Sequence, residues 1–466
     1  VSKIMSFDEM YTKVVDGKYS FGTGSWAVAS PHITMKLNEY GEYQPELKES
    51  ANLPSEKELK AMQDSCLSLS EKNESDVAEK AFSNIPDIKF DNRIGFYSGL
   101  YIGHVTEGKF RENGSSGGFG TWIFKELLER GKIDGVIQVK ESTENSKLFE
   151  YGISNSLEQI CTSAKTRYYP VELSEVINKI KNTDGNYAII GLPSYIMETR
   201  LLSDVFPQLK KRIKFMIGLI CGHQKSTKFA EFLAWQCGIN PGNLQRINFR
   251  KKMKDGNASD YAIEVTGLVN GKSQTIVRRM RDLIGSDWGQ GIFKISASDF
   301  TDDVMNETAD VTLGDAWLPE YVKDSKGNNV IIVRNPVIKE IIEDGIKNSK
   351  ISVTRVNVEK VFSSQAAHFR HTQRELAYRL YKKEKAKMWV PQKRVVASND
   401  FPWIRKRIQD KREEICKKVP LIYAKAVNKN DIMYFETRMA KLSKSYKNLY
   451  TIKGIQDKIK KELKLK

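Results

Sequence analysis

Five cysteines in 466 residues, Cys66, Cys161, Cys221, Cys237 and Cys416, form neither a disulfide framework nor a metal-type pair. That spacing excludes a zinc ribbon and a small secreted scaffold. No stretch approaches the roughly 18 apolar residues that cross a bilayer as a helix. No repeat of solenoid period and no low-complexity tract is present. The opening Val1-Ser2-Lys3-Ile4 has neither the basic nor the apolar region of a signal peptide. With unpaired thiols, the expectation is a reduced cytoplasmic protein. What is present, a 40% hydrophobic content over this length, suffices for two or three domains with substantial cores.

Charge is distributed unevenly. From Val361 onward there are 28 Lys or Arg against 10 Asp or Glu, while the preceding residues hold 47 and 48. The net charge of +17 therefore belongs to the tail. A neutral body argues against a nucleic-acid-binding core, and nucleic acid is not an expected partner. The basic tail is expected either to cap the body or to meet an anionic membrane surface or an acidic protein partner, a peripheral location.

Patterning divides the chain into three parts: 1–80, 81–340 and 341–466. The first holds a glycine-rich loop and a polar connector. In the second, Phe119 to Arg130 reads as an apolar-periodic helix closed by Gly131, and Ile133 to Val139 as a buried strand. The same strand–helix alternation follows at Tyr187–Leu192 with Tyr195–Leu209, and at Lys214–Ile220 with Ser226–Cys237. This predicts an α/β fold with a mixed, largely parallel sheet flanked by helices. Antiparallel pieces are expected around Asn270-Gly271 and at Val311–Leu313 with Val330–Val333. After about Asn335 the chain reads as helical throughout, with a break at Asn399–Pro402.

Ser20-Phe21-Gly22-Thr23-Gly24-Ser25-Trp26-Ala27-Val28-Ala29-Ser30-Pro31 has the outline of an iron–sulfur loop. The bacterial pattern is C-x2-C-x2-C-x3-C-P, because four thiolates must converge on one cubane. Ser20, Thr23, Trp26 and Ser30 stand at the four cysteine places. Hydroxyls are poor iron ligands and an indole is none, so the loop is a degenerate, ferredoxin-like one and no iron–sulfur cluster is expected.

Four further segments carry chemistry. Gly114-Ser115-Ser116-Gly117-Gly118 precedes a helix, where backbone N–H groups and the helix dipole favour an anion. Small residues there let a phosphate or flat ring approach. Arg111 offers the opposite charge, and an ordinary serine cap remains the simpler reading. The run has no Walker lysine and no G-x-G-x-x-G fingerprint. Ile190-Gly191-Leu192-Pro193-Ser194 and Cys221-Gly222-His223-Gln224-Lys225-Ser226 fall at strand ends, which line the ligand crevice of open α/β sheets. His223 and Lys225 thus reach a substrate or cofactor, or else solvate a helix start. Asp315 and Trp317 follow the strand of Ala309-Asp310-Val311-Thr312-Leu313-Gly314.

Taken in order, these segments resemble the β-subunit family of deazaflavin-coenzyme hydrogenases and dehydrogenases. That family also includes chlorophyll-pathway reductases and members from bacterial polysaccharide gene clusters. Its pattern runs S-G-G, V-D-G-V, G-L-P-C, C-G, C-x2-C-x-D-F and A-D-I-x-x-G-D after a ferredoxin-like start. This chain offers Ser116-Gly117-Gly118, Ile133-Asp134-Gly135-Val136, Gly191-Leu192-Pro193-Ser194, Cys221-Gly222, Ser298-x-Phe300 and Ala309-Asp310 with Gly314-Asp315. The resemblance covers roughly residues 10 to 340. Ser194, Ile295 and Ser298 stand where the family has cysteines.

The resemblance implies FAD, with Ser115, Ser116, Gly117, Gly118 and Arg111 as contacts and His223, Lys225 and Asp315 as catalytic groups beside it. It implies an oxidoreductase acting on a small-molecule substrate, a sugar or sugar nucleotide of polysaccharide biosynthesis. NAD(P)H or the deazaflavin coenzyme would be the electron donor. The alternative is a non-catalytic relic that docks to a polysaccharide assembly machine through its basic tail.

Overall fold

A mixed sheet of eight strands carries the fold of this chain, whose computed structural model describes residues 3–49, 52–144, 146–253 and 256–464. Its strands are β1 (Gly99–Val105), β2 (Gly135–Glu141), β3 (Phe149–Ser154), β4 (Tyr187–Gly191), β5 (Ile213–Leu219), β6 (Val311–Asp315), β7 (Asn329–Val333) and β8 (Ile351–Arg355). In space they run β8-β1-β7-β6-β5-β4-β2-β3. The ladders β2–β4, β4–β5 and β5–β6 are parallel, and the four others are antiparallel. The parallel part is thus the middle of the sheet only, because β1, β3, β7 and β8 arrive without a helical crossover between parallel neighbours.

Successive residues of the central strands serve opposite faces, as a period of two requires. Val136, Ala188 and Ile217 pack with α1 (Phe119–Glu129) on one face, while Ile137, Ile189 and Met216 pack on the other. The helices of that second face include α2 (Pro193–Val205) and α3 (Thr227–Gln236); α4 (Pro336–Lys347) joins α1 on the first. Pro193 and Pro336 each open a helix at its first turn, where a missing N–H is harmless. Asn335 caps α4 by accepting from the Val337 N–H at 2.9 Å. A separate antiparallel sheet, Leu244–Lys251, Ala262–Val269 and Lys272–Arg279, includes the expected hairpin around Asn270-Gly271. Both turn residues have positive φ, as a tight two-residue hairpin demands.

The region after Asn335 departs from the helical expectation in two places. Strand β8 follows α4 and pairs with β1 at the sheet edge. Its five residues alternate weakly and only Ile351 is buried, so the sequence carries little sign of a strand there. The helices α5 (Ala366–Thr372) and α6 (Arg374–Lys385) then precede a non-helical stretch from 386 to 402, longer than the expected break. Two long helices follow, α7 (Trp403–Lys429) and α8 (Ile432–Lys464), joined at Asn430 in the left-handed region. Ile408, Ile415, Val419, Tyr423, Phe435 and Met439 from these helices enter the core of the second face. The tail's cations also meet body carboxylates, as in Arg394 with Glu307 at 2.8 Å. The tail is part of the body rather than an appendage to it. Among the described residues, no helix is long and apolar enough to cross a membrane.

Candidate functional site

The carboxyl ends of β4, β5 and β6 open into a cavity of about 280 Å³, near the small end of the roughly 300–1,000 Å³ of small-molecule sites. Its wall includes Ser115, Ser116, Gly118, Gly120 and Thr121 from the loop and first turn of α1. Tyr151, Tyr168 and Tyr195 supply aromatic surface. Tyr195 donates to the Val171 carbonyl at 2.6 Å and accepts from Gln224 Nε2 at 3.0 Å. Gln224 Oε1, Arg250 Nε and Arg167 Nε are buried in this lining without a hydrogen-bond partner. Buried polar atoms are rarely left so, and these three are free to meet the polar edge of a ligand.

His223, Lys225 and Asp315 all line the cavity. Burial first, and then the charges of Lys294, His371 and Lys225, push the His223 imidazolium well below the usual histidine range. Its ring is neutral and meets His371 edge-on at 4.9 Å. Lys225 Nζ donates to the Ile292 carbonyl at 2.7 Å and lies over the rings of Trp288 and Phe229. Burial and the nearby Lys294 push its ammonium down to about 7. Lys294 itself is matched by Asp299, whose carboxyl it holds down against the opposing effect of burial. Asp315 pairs with Arg250 at 2.8 Å, and its carbonyl accepts from Gln365 Nε2 at 2.6 Å. Asp315 is therefore held by Arg250 through its carboxylate and by Gln365 through its carbonyl.

Two of the expected loop contacts do not lie in the cavity wall. Arg111 does not line the cavity: its guanidinium is engaged by Asp324 and by the Gly327 carbonyl at 3.0 and 2.8 Å. A cation beside a glycine loop here fastens a neighbouring loop. Gly117 is also turned away. A Cβ there would lie 2.7 Å from Asn329 Oδ1 and 2.8 Å from the Gly103 carbonyl, so the glycine allows α1 to approach β1 and β7. Gly118, at φ 91°, makes the turn into α1. Ser115 accepts from the Thr166 N–H at 2.8 Å, Ser116 donates to the Asn328 carbonyl at 3.0 Å, and Lys252 donates to the Ser116 carbonyl at 2.9 Å. Arg250, Lys252 and the three tyrosines lie outside the sequence expectation, because nothing in their local sequence distinguishes them, whereas Gln224 falls within the strand-end segment that holds His223 and Lys225.

The loop from Ser20 to Ser25 lines a void of only about 20 Å³, room for roughly one water. Glu198, from α2 and one turn beyond Ser194, fills the space by accepting from Thr23 and from the Leu67 N–H at 2.9 Å. Burial pushes its carboxyl up, against the hydrogen bonds of Thr23 and Leu67. Trp26 is buried beside Phe7, and Ser298 accepts from the Gln224 N–H at 3.0 Å. Cys66 is the one thiol among the lining residues, so this donor set does not fit a cubane.

No curated protein sequence matches the chain. Among solved structures, a chain of the xenon-derivatised F420-reducing NiFe hydrogenase complex from Methanosarcina barkeri aligns with a TM-score of 0.47 at 14% identity. The alignment covers 67% of this chain and 100% of that one. Two family models of the coenzyme F420 hydrogenase/dehydrogenase beta subunit match the sequence. The model of that subunit's N-terminal part matches residues 100–178, and the model of its C-terminal part matches residues 184–359. The two matches take in more than half of the chain and every strand of the large sheet except Gly99 at the start of β1. With the sheet, its crevice and the order of the motifs all inside that span, the chain belongs to the coenzyme F420 hydrogenase/dehydrogenase beta-subunit family.

Proposed function

We propose that this chain is a flavin-dependent oxidoreductase acting on a small molecule without an iron–sulfur relay. The observation that carries the reading is the cavity at the strand ends. It combines aromatic walls with unpartnered donors and acceptors on Arg250 and Gln224, a complement to a flat ring edged by carbonyls and N–H groups. FAD bound there would supply hydride exchange, with NAD(P)H or a deazaflavin coenzyme as donor.

The chain's own residues have separate tasks. Tyr151, Tyr168 and Tyr195 exclude water from the site. Asp315 orients Arg250 toward the ligand's polar edge. Lys225, poised at about 7, holds or releases a proton at Nζ near neutral pH, while neutral His223 offers a hydrogen bond without adding charge. The resemblance to the polysaccharide-cluster branch supports a sugar or sugar nucleotide as substrate.

The test is flavin content. Protein purified and incubated with FAD should retain about one FAD per chain, read by visible absorbance and by chromatography after denaturation. A colourless protein that takes up no FAD would sink this reading and favour the binding-protein alternative.

One observation favours an additional docking role for the end of the tail. Ile452, Ile455 and Ile459 are exposed on one face of α8, with Lys453, Lys458, Lys460 and Lys461 around them. We propose that this stripe rests on an anionic membrane surface, since basic side chains flanking an apolar face suit a headgroup boundary.

A further inference from the structure

A second cavity, of about 440 Å³, lies beside the first. It is bounded by the strands Leu244–Lys251 and Ala262–Val269 and by the segment from Cys161 to Arg167. Ala164, Lys165 and Arg167 line both cavities, so this segment is the partition between them.

The charges around the partition do not balance. Arg246 is paired with Glu141 at 3.0 Å, and Glu264 is engaged by Lys251. Lys165 and Arg167 have no ion pair and no side-chain hydrogen bond among the described residues. Arg167 Nε is fully buried and unpartnered, and the guanidinium lies 4.9 Å over the Phe149 ring. Lys165 sits at φ 100°, a conformation that L-residues rarely adopt. After burial, the next influence lowering the Lys165 ammonium is the charge of Arg167 itself. Glu264 and Glu141 act favourably on Lys165 and Arg167 respectively but are already engaged by Lys251 and Arg246, so these two partly desolvated cations gain from a further anion. Around them stand Asn113, Asn248, Thr162, Thr266 and Thr275, neutral groups that hydrogen-bond oxyanions and hydroxyls. A planar guanidinium beside an ammonium is suited to phosphate oxygens.

We propose that Lys165 and Arg167 bind the phosphate of a phosphorylated ligand seated in the second cavity, with the ligand's other end passing the partition into the first. The direction of that other end rests on the flavin reading above; the phosphate site itself does not. The phosphate has two sources of the same chemistry: the diphosphate of a dinucleotide cofactor, or a phosphate carried by the substrate.

The experiment compares the full chain with Arg167→Gln, Lys165→Gln and the double variant. It uses calorimetric titration with inorganic pyrophosphate and with ADP, and FAD content after incubation with FAD. Each lost charge-assisted contact should weaken binding about tenfold, and the double variant should lose it altogether. Loss of FAD content along with anion binding assigns the phosphate to the cofactor. Unchanged FAD content with weakened pyrophosphate and ADP binding assigns it to the substrate. If no form of the protein takes up FAD but pyrophosphate binding still depends on both residues, the flavin reading fails and this one stands. Removing an unpaired cation should leave the ligand-free melting temperature equal or higher, whereas a structural Arg167 would lower it. Anion affinity and FAD content both unchanged in the double variant would overturn the proposal, as would a lowered melting temperature in both single variants.

Discussion

Replacing Lys225 by methionine should make the protein more stable at neutral pH, although it removes a group from the centre of the candidate site. The ammonium is held at about 7 from an ordinary 10.5 by burial and by Lys294. The unfolded chain therefore binds a proton that the folded one partly refuses. For a base with a depressed folded value, stability rises with pH between about 7 and 10.5. At about 1.36 kcal/mol per unit, the refusal costs about 4 kcal/mol at pH 7 and about 2 kcal/mol at pH 9. Methionine is of similar length and has no charge. Its cost is the unsatisfied Ile292 carbonyl, about 1–3 kcal/mol. Lys225→Met should thus be stabilised by roughly 1–3 kcal/mol at pH 7, and its advantage should shrink by about 2 kcal/mol at pH 9. Urea unfolding of both proteins at the two pH values measures this, and taking the difference cancels every other titrating group. An advantage that does not change with pH, or a variant several kcal/mol less stable at pH 7, would refute the placement of Lys225 as a buried, half-ionised amine.

Glu198 has the opposite sense, since its folded value is raised. The folded state keeps a proton that the unfolded chain releases above about 4.3, so its contribution to stability falls as pH rises from there through the raised value. Glu198→Gln should fold within about 1 kcal/mol of the parent and lose that pH dependence, while Glu198→Ala should cost about 2 kcal/mol or more by orphaning Thr23 and the Leu67 N–H. Melting curves from pH 4 to 8 decide, and a glutamine variant as unstable as the alanine one goes against the buried-acid reading. For the end of α8, sedimentation with vesicles rich in phosphatidylserine should carry the full chain down at low salt and release it at 1 M, where the Debye length is about 3 Å. A protein that stays in the supernatant at low salt has no such docking surface.

Much of this is legible in the residues alone, for identifiable reasons. The strand–helix alternation from Phe119 to Cys237 marks the parallel core, because buried strands and amphipathic helices differ in period. His223, Lys225 and Asp315 belong at the cavity by the rule that strand ends line the crevice. Arg111 and Gly117 show where local reading stops. Each has the residue type a ligand site would want, and each is used by a partner far along the chain, Asp324 and Gly327 for one, Asn329 and Gly103 for the other. Arg250 is invisible for the converse reason: its importance lies in an ion pair with Asp315 that only the folded chain creates. The strand β8 escapes because an exposed edge strand needs little apolar alternation.

The contacts that α5 and its neighbours make with the cavity impose an order on how this protein comes into being. His371 stands against His223, Gln365 holds the Asp315 carbonyl, and Arg379 reaches the Asp299 carbonyl at 2.7 Å. The ribosome releases these residues long after the glycine loop and the strands they complete. A nascent chain can thus assemble most of its sheet before the residues that brace His223 and Asp315 have emerged and docked.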